Sequence, residues 1–176
     1  KELVAHQRRV LHEEVLPALA EHGVRLVGMD ELTPGEWASV DEFFESQVFP
    51  ILTPLAVEPG HSFPYITNLA LSLAIELREP ESGQLRFARL KVPKILPRWV
   101  PLARPNHFIP LEQVIGANLG HLFPGMAVAG WYCFRVTRYT DLDLGSLEDP
   151  DDLLATIEEQ LFQRRFAEVV RLEVQD

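Results

Sequence analysis

The sequence predicts an α+β fold, with a mostly antiparallel or mixed sheet packed against helices and preceded by an N-terminal helical segment. Apolar residues at helical spacing fill residues 3–20, and a strictly alternating run begins at Leu69. A second β-like run follows it after the turn-forming segment EPESGQ. Local strand pairing combined with helical crossovers favours an α+β layer over a doubly wound parallel sheet.

The N-terminal helix is expected to end near Gly23, since glycine is the preferred residue just beyond a helix C-terminus. Pro17 lies inside this pattern and lacks a backbone N–H, so it should kink or divide the helix. A short strand is expected at residues 24–27.

A second helix is predicted from about Pro34 to Val48. Thr33 supplies an N-cap, Pro34 occupies the first helical position, and Glu36 completes a capping box. These three residues form a local helix-start signal.

The segment from Phe49 to Asn68 predicts a long ordered loop. Each of its prolines removes a backbone donor and fixes its own φ, which disfavours continuous helix or a central strand. The four prolines are Pro50, Pro54, Pro59 and Pro64.

An antiparallel hairpin should follow the loop. Leucine and isoleucine alternate with smaller or polar residues over residues 69–77, the two-residue period of a strand. Residues 85–92 form its predicted partner across a turn.

The C-terminal half predicts a further alternation of helix and strand. Brief pairing is expected at residues 107–109, and the other elements follow from proline and aspartate helix starts and from β-branched runs. These elements are a helix from Pro110 to about Leu122, a strand at 128–137, a helix at 149–166 and a strand at 169–174.

Composition excludes several classes of partner. The net charge is −10, from 16 Lys plus Arg against 26 Asp plus Glu, so the chain repels nucleic acid and anionic lipid at long range. The single cysteine, Cys133, excludes an intrachain disulfide, and no apolar run reaches the length of a membrane span. We therefore expect a cytoplasmic protein.

The sequence starts at Lys1 directly on a helical pattern, which indicates a piece of a longer chain.

The proline-rich segment carries a resemblance to a known family. Phe49-Pro50, Thr53-Pro54, Pro59-Gly60-His61 and Phe63-Pro64 follow one another in the order found in type-1 polyphosphate kinases. Blocks that resemble the same family continue downstream at 87–100, 122–125, 134–144 and 161–174.

The resemblance implies a domain assignment and a parent activity. Residues 1–28 resemble the end of a helical N-terminal domain, and residues 29–176 resemble the middle, or head, domain. The parent enzyme is implied to transfer the terminal phosphate of ATP, with Mg²⁺, to polyphosphate through a phosphohistidine outside this chain. No catalytic residue and no cofactor is therefore assigned to this chain, and its implied partners are the remaining domains of the same polypeptide and a second copy in a homodimer or higher oligomer.

A basic stretch without acidic residues is the candidate binding feature. It contains Arg86, Arg89, Lys91, Lys94, Arg98 and Arg104. These cations could contact a polyanion, or they could form salt bridges to partner domains. Both interpretations remain open from the sequence.

Histidine and aspartate side chains are weaker candidates for a metal or binding site. No histidine has a second histidine at the i+3 or i+4 spacing of a helical ligand pair, so no metal site is predicted. His61 is interpreted as a structural anchor of its proline-held loop. Asp141 and Asp143 could bind Mg²⁺ through water, but a solvated strand end is the favoured interpretation.

Trp99, which lies between prolines, and Phe63 are the candidate interface residues. A domain that packs against others in a larger enzyme should expose apolar side chains of this kind. Three functions remain: a scaffold for interdomain packing and dimerisation, a polyphosphate- or nucleotide-binding module, and an independent phosphotransferase.

Overall fold

The computed structural model describes residues 2–57, 64–139 and 167–175. The chain divides into two compact units, the first formed by Lys1–Leu52 with Pro93–Ala127 and the second by Thr53–Val92 with Val128–Asp176. The α+β class is confirmed, with helices, antiparallel and mixed sheets, and a helical N-terminal segment. The predicted boundary between residues 28 and 29 stays a prediction.

The described ranges contain five α-helices and eight strands. The α-helices are α1 (Glu2–Val10), α2 (Leu16–Glu21), α3 (Pro34–Phe43), α4 (Leu111–Ala117) and α5 (Leu119–Leu122). The strands are β1 (Arg25–Leu26), β2 (Leu55–Val57), β3 (Ser72–Arg78), β4 (Leu85–Lys91), β5 (Trp99–Pro101), β6 (His107–Pro110), β7 (Ala127–Arg138) and β8 (Val169–Val174). None of the helices in these ranges is long and apolar enough to cross a membrane.

The N-terminal helical run is divided just before Pro17, as its sequence predicts. A π-helical turn, Leu11–Val15, separates α1 from α2, and the N–H of Leu16 donates to the carbonyl of Leu11. Pro17 has no N–H to continue the regular ladder, so the wider turn precedes it. The run ends at Gly23, whose φ of +78° is the left-handed conformation of a helix C-terminus.

The capping box at Thr33 starts α3 as predicted. The N–H of Glu36 donates to Thr33 Oγ1 at 3.3 Å, and the N–H of Thr33 donates to Glu36 Oε2 at 3.0 Å. A π-helical turn, Phe44–Val48, extends the helix to its predicted end.

The first unit contains a three-stranded sheet with the order β1-β6-β5. Strand β1 is parallel to β6, and β5 is antiparallel to β6. The predicted pairing at His107–Ile109 is confirmed. Its antiparallel partner β5 was not predicted, because Pro97 precedes this strand and Pro101 lies within it, and only an edge strand tolerates such prolines.

The predicted helix from Pro110 to Leu122 is interrupted at Asn118. Asn118 Nδ2 donates to the carbonyl of Val114 at 3.1 Å. Such side-chain bonding to the preceding turn competes with the backbone ladder and ends α4 before α5 begins. Buried apolar side chains close the first unit around α3, α4 and β6: Val40, Phe44, Val48, Val100, Ile109, Leu111, Val114, Ile115 and Leu119.

The second unit contains a five-stranded sheet with the order β2-β4-β3-β7-β8. The predicted hairpin is confirmed, and its antiparallel register runs from Ser72 opposite Lys91 to Arg78 opposite Leu85. The predicted start of β3 at Leu69 is wrong, because Leu69 has a φ of +56° and the strand begins at Ser72.

The long ordered loop predicted from Phe49 to Asn68 also contains short regular elements that were not predicted. A 3₁₀ turn occupies Phe49–Ile51, and β2 lies between Pro54 and Pro59. Strand β2 pairs with β4 alone among the described strands, so it is an edge strand, the position in a sheet that tolerates neighbouring prolines.

The predicted strands at 128–137 and 169–174 are confirmed as β7 and β8. They pair antiparallel from Phe134 opposite Val174 to Arg138 opposite Val169, with a register shift between Thr137 and Arg138. The predicted helix at 149–166 lies outside the described residues.

The packing of Phe44 yields the first prediction. Its side chain is fully buried, with ring centroids of Phe49 and His121 each 6.0 Å away. Replacement by alanine leaves a cavity, so Phe44→Ala should lower the free energy of unfolding of the first unit by about 3–5 kcal/mol. Chemical denaturation followed by tryptophan fluorescence measures it. Ile95→Ala removes an exposed side chain and should change stability by less than about 0.5 kcal/mol; equal losses in the two variants would contradict the assigned core.

Candidate functional site

The six basic side chains predicted as one stretch are divided between the two units. Arg86, Arg89 and Lys91 belong to β4 in the second unit, whereas Lys94, Arg98 and Arg104 belong to the first. Arg86 and Arg89 are an odd number of positions apart on a strand, so they project from opposite faces of the sheet. A polyanion role for this stretch stays a prediction.

Arg86 and Lys91 lie on the surface of β4. Arg86 Nη2 lies 3.4 Å from Gln84 Oε1 and 3.9 Å from Glu79 Oε2, at the turn of the hairpin. Exposed pairs at such distances contribute little to stability.

Arg89 is buried, in contrast to Arg86 and Lys91 on the same strand. Its side chain is 5% exposed, and Nη1 donates to the carbonyl of Tyr65 at 2.7 Å. Among the described residues, its Nε has no hydrogen-bond partner. Burial lowers the pKa of the guanidinium below its ordinary value. Arg89 therefore serves mainly to fasten the chain at Tyr65.

Arg138 fastens the same part of the chain from β7. Its Nε donates to the carbonyl of Ile66 at 3.1 Å, and its Nη1 donates to the carbonyl of Ala167 at 2.6 Å. The guanidinium carbon lies 5.1 Å from the centre of the Tyr65 ring, and the backbone N–H of Arg138 donates to Asn68 Oδ1 at 2.8 Å. We call residues 65–68 the Tyr65 turn. Two arginines from different strands thus hold the end of the proline-rich segment.

Arg104 forms an ion pair with Glu36 in the first unit. Its Nε donates to Glu36 Oε1 at 2.7 Å, and its Nη2 donates to the carbonyl of Glu31 at 3.2 Å. The hydrogen bond from Arg104, together with the backbone N–H of Thr33, lowers the pKa of Glu36 from 4.5 to about 2. The ion pair thereby joins the capping box of α3 to Arg104, which lies 68 positions beyond Glu36 along the chain.

Arg98 is also engaged within the first unit. Its Nη2 donates to Glu112 Oε1 at 2.5 Å, and its guanidinium lies 5.9 Å from the centre of the Trp99 ring. Two large apolar side chains close to Arg98 in sequence are exposed: Trp99 is 43% exposed and Ile95 is 85% exposed. We call Lys94, Ile95, Arg98 and Trp99 the Trp99 surface.

The structure describes only some of the other residues that the sequence offered as site candidates. His61, Phe63, Asp141 and Asp143 lie outside the described residues. His22 Nδ1 and His107 Nδ1 lie 2.8 and 2.9 Å from the carbonyls of Ala18 and Pro105, so both histidines make local contacts. In ranges 2–57, 64–139 and 167–175, no three His, Cys, Asp or Glu side chains are grouped to hold a metal ion.

The sequence does not reveal the roles of two charged residues, Glu36 and Arg138, that bond to residues far away along the chain. Glu36 was identified only as a capping residue, because its local pattern gives no sign of a partner at Arg104. Arg138 lies at the end of a predicted strand, and no spacing rule connects it with Tyr65. Both roles depend on contacts between residues distant in sequence.

These features define an α+β domain in which arginines fasten loops to a sheet and to a helix start. The sequence from residue 36 to 176 matches the family described as the polyphosphate kinase middle domain. The chain belongs to this family.

Relatives of known name agree with this assignment. The polyphosphate kinase of Thermosynechococcus vestitus is 46% identical over 181 residues, covering 98% of this chain and 25% of that protein. The polyphosphate kinase of Streptomyces coelicolor is 46% identical and covers 100% of this chain and 23% of its own length. This chain therefore spans about a quarter of the length of these relatives.

A solved structure shows the same fold. The crystal structure of polyphosphate kinase from Porphyromonas gingivalis matches with a TM-score of 0.72 and 31% identity. The match covers 92% of this chain and 28% of that one.

The Glu36–Arg104 pair predicts a pH dependence. The folded pKa of Glu36, about 2, lies below its ordinary value of 4.5. Its contribution to stability is therefore fully present above about pH 5 and is lost as the pH falls toward 2. The stability difference between the native chain and Glu36→Gln should be constant near neutral pH and shrink on acidification. Thermal unfolding from pH 7 to the lowest pH at which the chain folds measures it, with exposed Glu45→Gln as control; a difference independent of pH would contradict the assignment.

The contacts of Arg138 predict that its replacement loosens the Tyr65 turn. Arg138→Ala removes the contacts to Ile66, Ala167 and the Tyr65 ring, so amides of the Tyr65 turn should exchange hydrogen at least about tenfold faster. Hydrogen exchange read by mass spectrometry measures this. Arg135→Ala removes a surface ion pair on the same strand and should leave these amides unchanged. The assignment is wrong if both variants exchange alike at residues 65–68.

Proposed function

We propose that this chain is a non-catalytic scaffold within a polyphosphate kinase, where it organises interdomain packing and dimerisation. The parent enzyme transfers the terminal phosphate of ATP to polyphosphate through a phosphohistidine that lies outside this chain, and it works in the cytoplasm. Family membership and the names of the relatives support the parent activity.

The Trp99 surface is the observation that carries the scaffold role. An isoleucine exposed to 85% and a half-exposed tryptophan four residues further along the chain present apolar area that a partner domain would cover. Tryptophan and arginine are also the residue types that contribute most at the centres of interfaces. The remaining domains of the same polypeptide are the partners we propose for this surface.

The contacts that the arginines make within the fold also support the scaffold role. Arg98 and Arg104 pair with glutamates of their own unit, and Arg89 and Arg138 donate to main-chain carbonyls. A phosphate-transfer site requires cations that face the phosphates and carboxylates that hold Mg²⁺. We therefore assign the ATP and Mg²⁺ of the parent reaction to other domains, and no step of the chemistry to the described residues.

A second candidate function is polyanion binding by the basic stretch. Arg86, Lys91 and Lys94 favour it, because these side chains are exposed. Arg89, Arg98 and Arg104 oppose it, because their guanidinium groups are held by contacts within the fold.

The scaffold role predicts an effect on the parent enzyme rather than on this chain alone. Substitution of both Ile95 and Trp99 by serine in the full-length parent should weaken domain packing and reduce ATP-dependent polyphosphate synthesis at least about tenfold, with normal folding by circular dichroism. Light scattering reports the assembly mass in parallel.

Tyr132→Ser is the matched control, because Tyr132 is a half-exposed aromatic residue outside the Trp99 surface. It should leave synthesis and mass close to those of the native parent. Full activity and unaltered mass in the Ile95 and Trp99 double variant would count against the Trp99 surface as an interface.

A further inference from the structure

Strand β5 lies at one edge of the three-stranded sheet in the first unit, with β6 as its neighbour. The N–H of Leu102 donates to the carbonyl of His107 at 2.9 Å, and the N–H of Leu111 donates to the carbonyl of Arg98 at 2.9 Å. In an antiparallel pair, hydrogen-bonded and non-hydrogen-bonded positions alternate along each strand. The even-numbered residues of this segment therefore direct their backbone groups toward β6, and the odd-numbered residues direct theirs away from it.

The outward-facing positions of this edge offer few hydrogen-bond donors. They are Pro97, just before the strand, and Trp99 and Pro101 within it. Proline has no N–H, so Trp99 supplies the only main-chain donor of the three. A strand added here would leave carbonyl oxygens without donors, which is one way in which edge strands avoid pairing. A partner at this edge therefore has to satisfy its own backbone groups, as an α-helix does.

The Trp99 side chain is oriented by contacts within the first unit. Trp99 lies opposite Pro110 in a non-hydrogen-bonded pair, the position at which side chains of neighbouring strands approach most closely. The Arg98 guanidinium lies 5.9 Å from the centre of its ring, and Glu112 Oε1 accepts from Arg98 Nη2. An aromatic side chain that is already oriented loses little freedom when a partner covers it. Trp99 is therefore suited to be the apolar anchor of an interface.

The Trp99 surface is basic within an acidic chain. Arg98 is balanced by Glu112, whereas Lys94 is exposed and forms no salt bridge with the residues that the structure describes. The positive charge of Lys94 is adjacent in sequence to the exposed Ile95, although the net charge of the chain is −10. A partner that carries acidic side chains beside an apolar ridge complements this arrangement.

We propose that the Trp99 surface binds one amphipathic α-helix from another domain of the parent enzyme. Apolar side chains of this helix cover Ile95 and Trp99, and an acidic side chain of the helix faces Lys94. The inference rests on the proposed scaffold role and adds the kind of partner that this surface takes.

Photo-crosslinking in the full-length parent identifies the form of the partner. The crosslinking amino acid p-benzoylphenylalanine is incorporated at position 95 and, separately, at position 99, and mass spectrometry maps the residues captured on irradiation. Both positions should capture one segment outside this chain, which contains Asp or Glu, at residues three or four positions apart, the spacing of a helix face. The matched control is incorporation at Tyr132, a half-exposed aromatic residue outside the Trp99 surface, which should not capture this segment.

Charge reversal tests the acidic character of the helix. Lys94→Glu should reduce the crosslinking yield from position 95 at least about fivefold, because it sets two acidic side chains against each other. Lys94→Arg keeps the charge and should keep the yield. Lys91→Glu, the same change of charge on β4, should leave the yield unaltered. Circular dichroism verifies that each variant is folded.

Three results would overturn the proposal. They are captured residues two positions apart, the spacing of a strand, no captured residue outside this chain, and a yield that Lys94→Glu and Lys91→Glu affect equally. The scaffold role is tested separately, by the mass and activity of the parent with both Ile95 and Trp99 replaced by serine. Capture of a strand would leave that role standing, whereas no capture together with full activity of the double variant would remove both.

Discussion

The position of the C-terminal end of the proline-rich segment depends on two arginine side chains that donate hydrogen bonds to main-chain carbonyl oxygens. Arg89 and Arg138 donate to the carbonyls of Tyr65 and Ile66, which places the Tyr65 turn against strands β4 and β7. Prolines stiffen a segment but cannot donate backbone hydrogen bonds, so side chains of other elements help to fix the position of such a segment. Arginine suits this task because its planar group can donate to several carbonyls at once.

This constraint changes the interpretation of the segment by which the family is recognised. Its conspicuous proline and aromatic pattern resembles a catalytic loop at first sight. The described part of it, however, is a 3₁₀ turn, an edge strand and a turn fixed by two arginines. The motif identifies the polyphosphate kinase middle domain through residues that maintain shape, which agrees with the scaffold role that we propose.

The sequence predicted those parts of the structure that local rules determine. The capping box at Thr33, the division at Pro17 and the alternation of β3 and β4 involve neighbouring residues, and all three were confirmed. Strands β2 and β5 were missed because prolines beside them mask edge pairing, and the helix break at Asn118 was missed because one side-chain bond decides it. Of the candidate site, the sequence identified the arginines of the basic stretch, but not their partners. Glu36 and Arg104, like Arg138 and Tyr65, meet only after the chain has folded, and no periodicity encodes such a contact.

The central claim is that the arginines of this chain maintain its structure instead of binding polyphosphate. Isothermal titration of the 176-residue chain with polyphosphate of defined length, at low and at physiological salt, tests it most directly. The account predicts no saturable binding at either salt concentration, because the guanidinium groups of Arg89, Arg98 and Arg104 are already engaged. Saturable, salt-sensitive binding that is lost when Arg86, Lys91 and Lys94 are neutralised would contradict it and would favour the polyanion-binding function.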